Sequence, residues 1–538
     1  MKNVDENDIG CCRSIPYIFY VLIGLSTLPW FWLQFNQVLN GNITYLTFAA
    51  GHMISGEAMS DAYYDTNPPL SVILYAIPAM MMKYMGMSLY HAVFVYSCTC
   101  LIGAIALLHQ ALRLLPTIPD TEKHVILGSF ICVSTIAAHL YFAEREYFIS
   151  LSLLPFILAQ IAITKNIKAT PLALHLILAM GALFIMIKPQ YYIIPACILA
   201  HRLITQKRLS VCWDKDSLYL CGCALGYGVV LLTLFSDYLT IILPDVLKLY
   251  ILIREPWITK VTLGAISLCA IFILISKLTV QDLKSYTVLF FLLSMLSMAP
   301  YYLQGKGYLN HLAPTLMLFF CGFNLLLYKN FLHILREFKL GKNASQSAAL
   351  FLTIALSIIG FYKILVIPNI QLTHDIFKTR PLIKVINECA YEDCDFFIFN
   401  DSIEIIHQLA TYSNQSHASR FPSYWFLPVV LGANDKQLTT IEKQQMVEKY
   451  TAMTAQDFKR LQPKTLFIGT FQINKDEGNF DFIAFFSEHN KNFAQIMRSY
   501  ILEETIEINT HDYLIDGGFK DRMAKYDVYR LKNDENTN

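Results

Sequence analysis

Twelve apolar runs fill the first two thirds of the chain and leave it few choices of fold. They fall at approximately 15–35, 69–86, 88–112, 124–142, 147–163, 171–187, 191–204, 218–236, 260–276, 286–303, 312–328 and 347–367. Most have the ~17–25 residues that a helix needs to cross roughly 30 Å of hydrocarbon. Inside lipid each backbone N–H and C=O has to be satisfied within the protein, so such runs are read as helices. Charged residues make up only 15% of the chain, against about 25% in soluble domains. The net charge of +1 gives no basis for a nucleic-acid partner.

After residue 367 the runs stop and ordinary soluble composition begins. Two domains are expected: a polytopic helical membrane domain over 1–367 and a soluble α/β domain over 368–538. The first run is long and lacks a small-residue cleavage site, so it is expected to remain as a span. Most of the thirteen cysteines lie inside apolar runs, as small hydrophobes, and none has paired CxxC spacing. Cys389 and Cys394 could form a disulfide if their domain is exported.

Charge decides how many runs cross. If all twelve do, the basic loops around Arg202–Arg208 and Lys329–Lys342 fall opposite the N-terminus, against the positive-inside rule. The run 69–86 begins with Pro68-Pro69 and contains Pro78, so it makes a poor span. Placing it in the interface leaves about eleven spans and a cytoplasmic N-terminus. Sixteen Lys and Arg then lie inside and eight lie outside, up to residue 367. The soluble domain emerges on the outer face.

Four polar segments meet on that face. The loop 36–68 carries Glu57, Asp61 and Asp65 with no Lys or Arg, and it ends Asp61-Ala-Tyr-Tyr64-Asp65-Thr-Asn67-Pro-Pro-Leu70. Two carboxylates beside tyrosines and a rigid Pro-Pro suit acid/base work or a divalent cation such as Mg or Mn, although a solvated turn would look the same. The stretch 44–55 could be an amphipathic helix on the surface. The hairpin Glu144-Arg145-Glu146-Tyr147 offers a guanidinium suited to phosphate, or simply caps two helix ends. Lys188, in Lys188-Pro-Gln-Tyr-Tyr192, sits between two apolar runs, and a lysine at that depth faces a cavity or snorkels to the headgroups. In Gln304-Gly-Lys306-Gly-Tyr-Leu-Asn310-His311, the glycines permit a sharp turn that could present Lys306 and His311 to an anion. Together these positions suit a phosphate-bearing lipid.

At these residues the chain resembles bacterial GT-C glycosyltransferases, the polyprenol-phosphate-sugar-dependent membrane enzymes that include protein O-mannosyltransferases and aminoarabinose transferases. The matching elements are Asn67-Pro68-Pro69-Leu70, Ala143-Glu144-Arg145-Glu146-Tyr147, Lys188-Pro189-Gln190 and Gly305-Lys306-Gly307-Tyr308-Leu309-Asn310-His311, in order over about residues 40–315. The resemblance implies a large first periplasmic loop with interfacial helices. It also implies a sugar transferase of the bacterial inner membrane, with a polyprenyl-phosphate-sugar donor and an envelope glycan, lipid or protein as acceptor. Asp65, with Asp61 second, would then be the catalytic carboxylate. Arg145, Lys188, Lys306 and His311 would bind the donor phosphate, and Tyr64, Asn67 and Glu146 would contact substrate.

Three positions depart from the family pattern. Asn42 stands where the superfamily has an acidic residue after the first span. Tyr147 and Gln190 replace histidines. Asn42 keeps open a catalytically inactive, lipid-binding relative. A lipid-linked glycan flippase is the other alternative, but charge gathers on one face and no internal repeat is evident, which disfavours it.

In the soluble part, Asp395–Asn400 and Thr465–Gly469 read as short buried strands, and 401–412 and 440–461 as helices. Tyr424 and Trp425, in an aromatic loop from Ser419 to Pro428, could be interfacial anchors or acceptor contacts.

Overall fold

A computed structural model describes residues 6–165, 172–250, 254–280, 286–367, 374–389, 394–400, 403–431, 438–469, 480–509 and 523–532. Lys2, Lys168 and Lys284 of the charge count lie outside these residues, as do the first two positions of the helix expected over 401–412.

Among the described residues nine helices are long and apolar enough to cross a membrane: Tyr17–Asn36, Leu89–Arg113, Asp120–Leu140, Arg145–Thr164, Lys215–Leu234, Ile258–Lys277, Tyr286–Gln304, Leu309–Glu337 and Lys342–Val366. Two further runs form shorter helices, Leu172–Met186 and Ile193–Gln206. These eleven helices coincide with the eleven runs read as spans. The twelfth run breaks into Leu70–Ile73 and Ala76–Met85. At 1.5 Å per residue the longer piece reaches about 15 Å, half the hydrocarbon thickness. The chain is a mainly helical, multi-pass membrane protein.

The chain forms two compact units. The first comprises Met1–Phe35, Phe94–Val229 and Arg254–Ile370. Its helix Ala313–Glu337 packs against Asp120–Ser134, Arg145–Thr164, Tyr286–Gln304 and Lys342–Phe361. Between Leu172–Met186 and Arg145–Thr164, Gly181 lies against Phe156, where a Cβ would come within 2.4 Å of the ring. Small residues at such crossings let helices approach without a hydrophobic drive from lipid. The buried Asn324 amide donates to Ser129 Oγ at 2.9 Å and accepts from Ser357 Oγ at 2.7 Å, tying three helices. Little of Lys215–Leu234 or Ile258–Lys277 is buried in protein, so their apolar surfaces are left for lipid.

The second unit comprises Asn36–Val93, Val230–Ile253 and Gln371–Asn538. Its sheet has four strands, β1 (Phe396–Phe399), β2 (Thr465–Gly469), β3 (Tyr500–Asn509) and β4 (Met523–Leu531), in the order β1-β2-β4-β3. β1 and β2 are parallel, and the other pairings are antiparallel. Alternation along β1 sends Phe396 and Ile398 into a core with Leu382, Ile406, Leu409 and Val528. Phe397 and Phe399 turn to the other face, against Tyr424 and Phe458. The helix Thr440–Leu461 starts with a capping box between Thr439 and Glu442. Cys389 and Cys394 are joined by a disulfide.

The helix Gly41–Ile54 is not a surface element. Eight of its residues are buried, and it packs on the helix Ile403–Ser413. Gly41 makes this possible, because a Cβ there would sit 2.6 Å from the Glu404 Cα. Its backbone N–H donates to Glu404 Oε2 at 2.7 Å. Tyr424 is also no exposed anchor. It is fully buried among Phe397, Phe399, Phe421 and Phe486, with its hydroxyl 3.0 Å from Thr454 Oγ1.

Candidate functional site

In the first unit three turns at helix ends bring buried charge together. The chain leaves Ile136–Leu140 and turns at Ala143, whose φ of 65° lies in the left-handed region. That conformation costs an L-residue roughly 1–2 kcal/mol. Glu144 then takes the N-cap position of Arg145–Thr164, and Arg145 and Glu146 form its first turn. Carboxylates are favoured at this positive end of the helix dipole. All three side chains are buried.

Lys188 lies between Leu172–Met186 and a short 3₁₀ turn that begins at Pro189. Its ammonium is ion-paired with Glu146 Oε1 and donates to Gln304 Oε1 at 3.1 Å. Burial holds Lys188 below its ordinary proton affinity; Glu146 opposes that shift and Arg145 adds to it. His311 Nε2 stands 3.2 Å from the same Glu146 oxygen, and Asn310 Nδ2 donates to Oε2 at 3.3 Å. The Tyr191 hydroxyl holds the His311 carbonyl at 2.8 Å. Thus Glu146 is surrounded by three donors from two other segments.

The third turn is Gly305-Lys306-Gly307. Both glycines have positive φ, 68° and 78°, so the backbone doubles back and directs Lys306 inward, where it is 8% exposed. Burial and then the Arg254 guanidinium push Lys306 down to about 8. Lys306 and Arg145 both act electrostatically on His311. Lys188 and His311 therefore meet at Glu146, while Arg145 and Lys306 are near enough to act on His311 through their charge. Arg145, Lys188 and Lys306 are buried, as are the carboxylates of Glu144 and Glu146. Gln304 was not singled out from sequence; its signal was a lone amide at the end of an apolar run.

The acidic loop belongs to the second unit. Asp65 is buried, and its Oδ1 accepts from the Asn67 backbone N–H at 3.0 Å and from Nδ2 at 2.9 Å. Asn67 is thus an Asx-turn partner that orients the carboxylate. Asp65 also acts electrostatically on the buried phenol of Tyr45. Asp61 is exposed, with Oδ1 3.5 Å from Arg420 Nη1. The Tyr64 hydroxyl is committed to Asp245 Oδ2 at 2.6 Å, an oxygen that also accepts from Lys449 at 2.7 Å and Tyr450 at 2.8 Å. Asp237 accepts from the Ser60 backbone N–H at 2.8 Å. Asn42 lies in the first turn of its helix, with its N–H capped by Asn40 Oδ1 at 2.8 Å. Among the described residues no three His, Cys, Asp or Glu side chains converge so as to hold a metal ion.

These features define a class: a multi-span helical membrane protein with a buried cationic cluster at its helix ends and a mixed α/β unit. The chain is similar to ArnT from Cupriavidus metallidurans, solved bound to undecaprenyl phosphate, at 9% identity and a TM-score of 0.48, covering 84% of this chain and 92% of that one. It is also similar to the same protein in the apo state, at 10% identity and a TM-score of 0.38, with the same coverage. Both scores fall below 0.5, where likeness in helix arrangement does not by itself define a shared fold. No family model and no curated protein matches the chain.

Proposed function

We propose that the chain is a GT-C-type glycosyltransferase. It would move a sugar from a polyprenyl-phosphate donor to a cell-envelope acceptor at the periplasmic face of a bacterial inner membrane. The observation that carries this reading is the buried group of Arg145, Lys188 and Lys306 with Glu146 and His311. A buried cation is costly unless opposite charge and hydrogen bonds compensate it, so cations kept buried at these turns fit a site that meets an anionic group. A phosphate would offer these buried donors further acceptor oxygens.

In this reaction an acceptor hydroxyl attacks the anomeric carbon and gives its proton to a carboxylate. The bond from that carbon to the phosphate oxygen breaks, and the lipid phosphate leaves with an added negative charge. Cations fixed in advance favour that charge more than they favour the donor. Asp65 is the proposed base, with its carboxylate oriented by Asn67, and Asp61 is the second candidate. Residues 368–538 are proposed to be periplasmic, which fits the Cys389–Cys394 disulfide.

A second reading, a lipid-binding relative without transfer activity, is favoured by the amide at Asn42. Proteoliposomes carrying labelled polyprenyl-phosphate sugars and envelope extract separate the two. The enzyme transfers label, and Lys188→Met lowers transfer roughly 100-fold or more. If Asp65→Asn and Asp61→Asn both leave transfer intact, the base assignment fails. If no label moves while the lipid still binds, the second reading stands.

A further inference from the structure

The helix Met59–Ala62 is a single turn, and the Tyr63 N–H closes it on the Met59 carbonyl at 3.2 Å. The next bond of that helix would run from the Tyr64 N–H to the Ser60 carbonyl. Arg420 takes both halves of it. The Tyr64 N–H donates to the Arg420 carbonyl at 2.7 Å, and Arg420 Nη1 donates to the Ser60 carbonyl at 3.1 Å. The carbonyl of Asp61 accepts from Arg460 Nη2 at 2.8 Å. Two arginines thus serve the groups that a helix terminus leaves open. The chain leaves the helix at Tyr63, with φ −151° and ψ 73°, and Asp65 comes two residues later.

Arg420 is itself held in place, with its side chain buried. Its backbone N–H donates to Asp457 Oδ2 at 3.0 Å, and its Nε donates to Oδ1 at 2.9 Å. Its Nη2 donates to Gln456 Oε1 at 3.3 Å. Arg460 Nη2 lies 3.5 Å from the same Asp457 oxygen. The planar guanidinium suits this place because it presents donors along several edges at once. Past Asp65 the chain is fixed again, by the Asp65–Asn67 turn and the rigid Pro68-Pro69. All of these residues belong to the second unit.

We propose that Arg420 and Arg460 are positioning residues for the Asp65 carboxylate. By intercepting the next turn of the helix they set the direction in which the chain presents it. The inference rests on the reading of Asp65 as the base, and it adds two residues from 360 to 400 positions further along the chain, outside all the motifs. Without Arg420 the Tyr64 N–H is free to close on Ser60, which lengthens the helix and turns Asp65 away.

The test uses full-length protein in proteoliposomes with labelled polyprenyl-phosphate sugars, with kcat counted per molecule that retains undecaprenyl phosphate. Arg460→Gln changes a half-exposed side chain, so the fold should survive it. It should lower kcat roughly 10-fold and leave KM for donor and acceptor within about twofold, and Arg460→Lys should restore most of the loss. Arg420→Gln should lower kcat roughly 100-fold. A merely structural role would reduce the amount of folded protein and leave kcat per molecule unchanged. Wild-type kcat in both Gln variants overturns the proposal; where Arg420→Gln does not fold, Arg460→Gln alone decides. Hydrogen exchange over residues 60–65 gives a readout without activity. It should accelerate in the Gln variants, because a single helical turn protects poorly by itself. If the wild type transfers no label, the transferase reading fails and exchange decides: faster exchange leaves the clamp standing, and unchanged exchange overturns it too.

Discussion

Lys188 and Glu146 form an ion pair with both side chains buried, one from the turn after Leu172–Met186 and the other from the first turn of Arg145–Thr164. Removing one partner leaves the other charge uncompensated, which costs about 3–5 kcal/mol; removing both can be close to neutral. Glu146→Gln and Lys188→Met should each lower the melting temperature in detergent. The double variant should recover most of that loss. It should not recover phosphate-lipid binding if, as proposed, Lys188 is one of the phosphate ligands. Full recovery of binding would make the pair purely structural.

Asp245 gathers the hydroxyls of Tyr64 and Tyr450 and the ammonium of Lys449 on one oxygen. Asp245→Ala should destabilise the second unit by roughly 2–4 kcal/mol, since buried donors lose their acceptor. Tyr64→Phe removes one bond and should cost about 1 kcal/mol. If Tyr64 serves only this structural role, Tyr64→Phe keeps the wild-type KM for donor and acceptor. A tenfold rise in KM would return Tyr64 to the substrate contacts expected from sequence.

His407 and His417 bear on the pH dependence of the second unit. Their rings lie 6.0 Å apart, and the His407 Nε2 is 3.0 Å from the Pro422 carbonyl. Burial pushes His407 down to about 4, with the Pro422 carbonyl opposing the shift. Burial, and then His407, puts His417 well below its ordinary value. In the unfolded chain both titrate near 6.5. Their contribution is therefore fully present above about pH 6.5. It is lost as pH falls toward 4, because the unfolded state takes protons that the folded state refuses. For His407 alone this amounts to roughly 3 kcal/mol over that window. Hydrogen exchange at β1 should accelerate between pH 7 and 5, and His407→Gln should flatten the dependence. Protection that is constant over that range would contradict this.

Gly41 tests how the helix after the first span is held. Gly41→Ala would drive a methyl into the Glu404 backbone, which cannot swing aside as a side chain can. The expected cost is about 1–3 kcal/mol, read as faster exchange in both Gly41–Ile54 and Ile403–Ser413. Gly51→Ala in the same helix meets no atom within 4 Å and should be neutral or slightly stabilising.

Much of this was legible in the sequence because it is local. A helix in lipid needs length and apolarity, both of which the runs display. Pro68, Pro69 and Pro78 marked the run that breaks into two short helices. Strands β1 and β2 announced themselves as short hydrophobic runs. Partners far apart in sequence were not legible. Asp245 is a lone carboxylate within an apolar stretch, and its partner Tyr64 is 181 positions away. Tyr424 looked like an interfacial aromatic because sequence shows its ring but not the rings that close around it. The stretch 44–55 looked like a surface helix because its contact with Glu404 depends on Gly41, just outside the window considered. Lys188, Lys306 and His311 were found as polar residues in apolar surroundings. The partners of Glu146 were not legible either: in the structure its carboxylate oxygens engage Lys188, His311 and Asn310, from segments far along the chain.

The most direct test of the central claim is retention of undecaprenyl phosphate by the full-length protein in native mass spectrometry, with undecaprenol as the uncharged control. Phosphate binding by the buried cations predicts that wild type retains the phosphate lipid and releases undecaprenol. It also predicts that Arg145→Met, Lys188→Met and Lys306→Met each lower retention roughly tenfold or more. Equal retention of the two lipids, or retention of the phosphate lipid unchanged in all three variants, would contradict it.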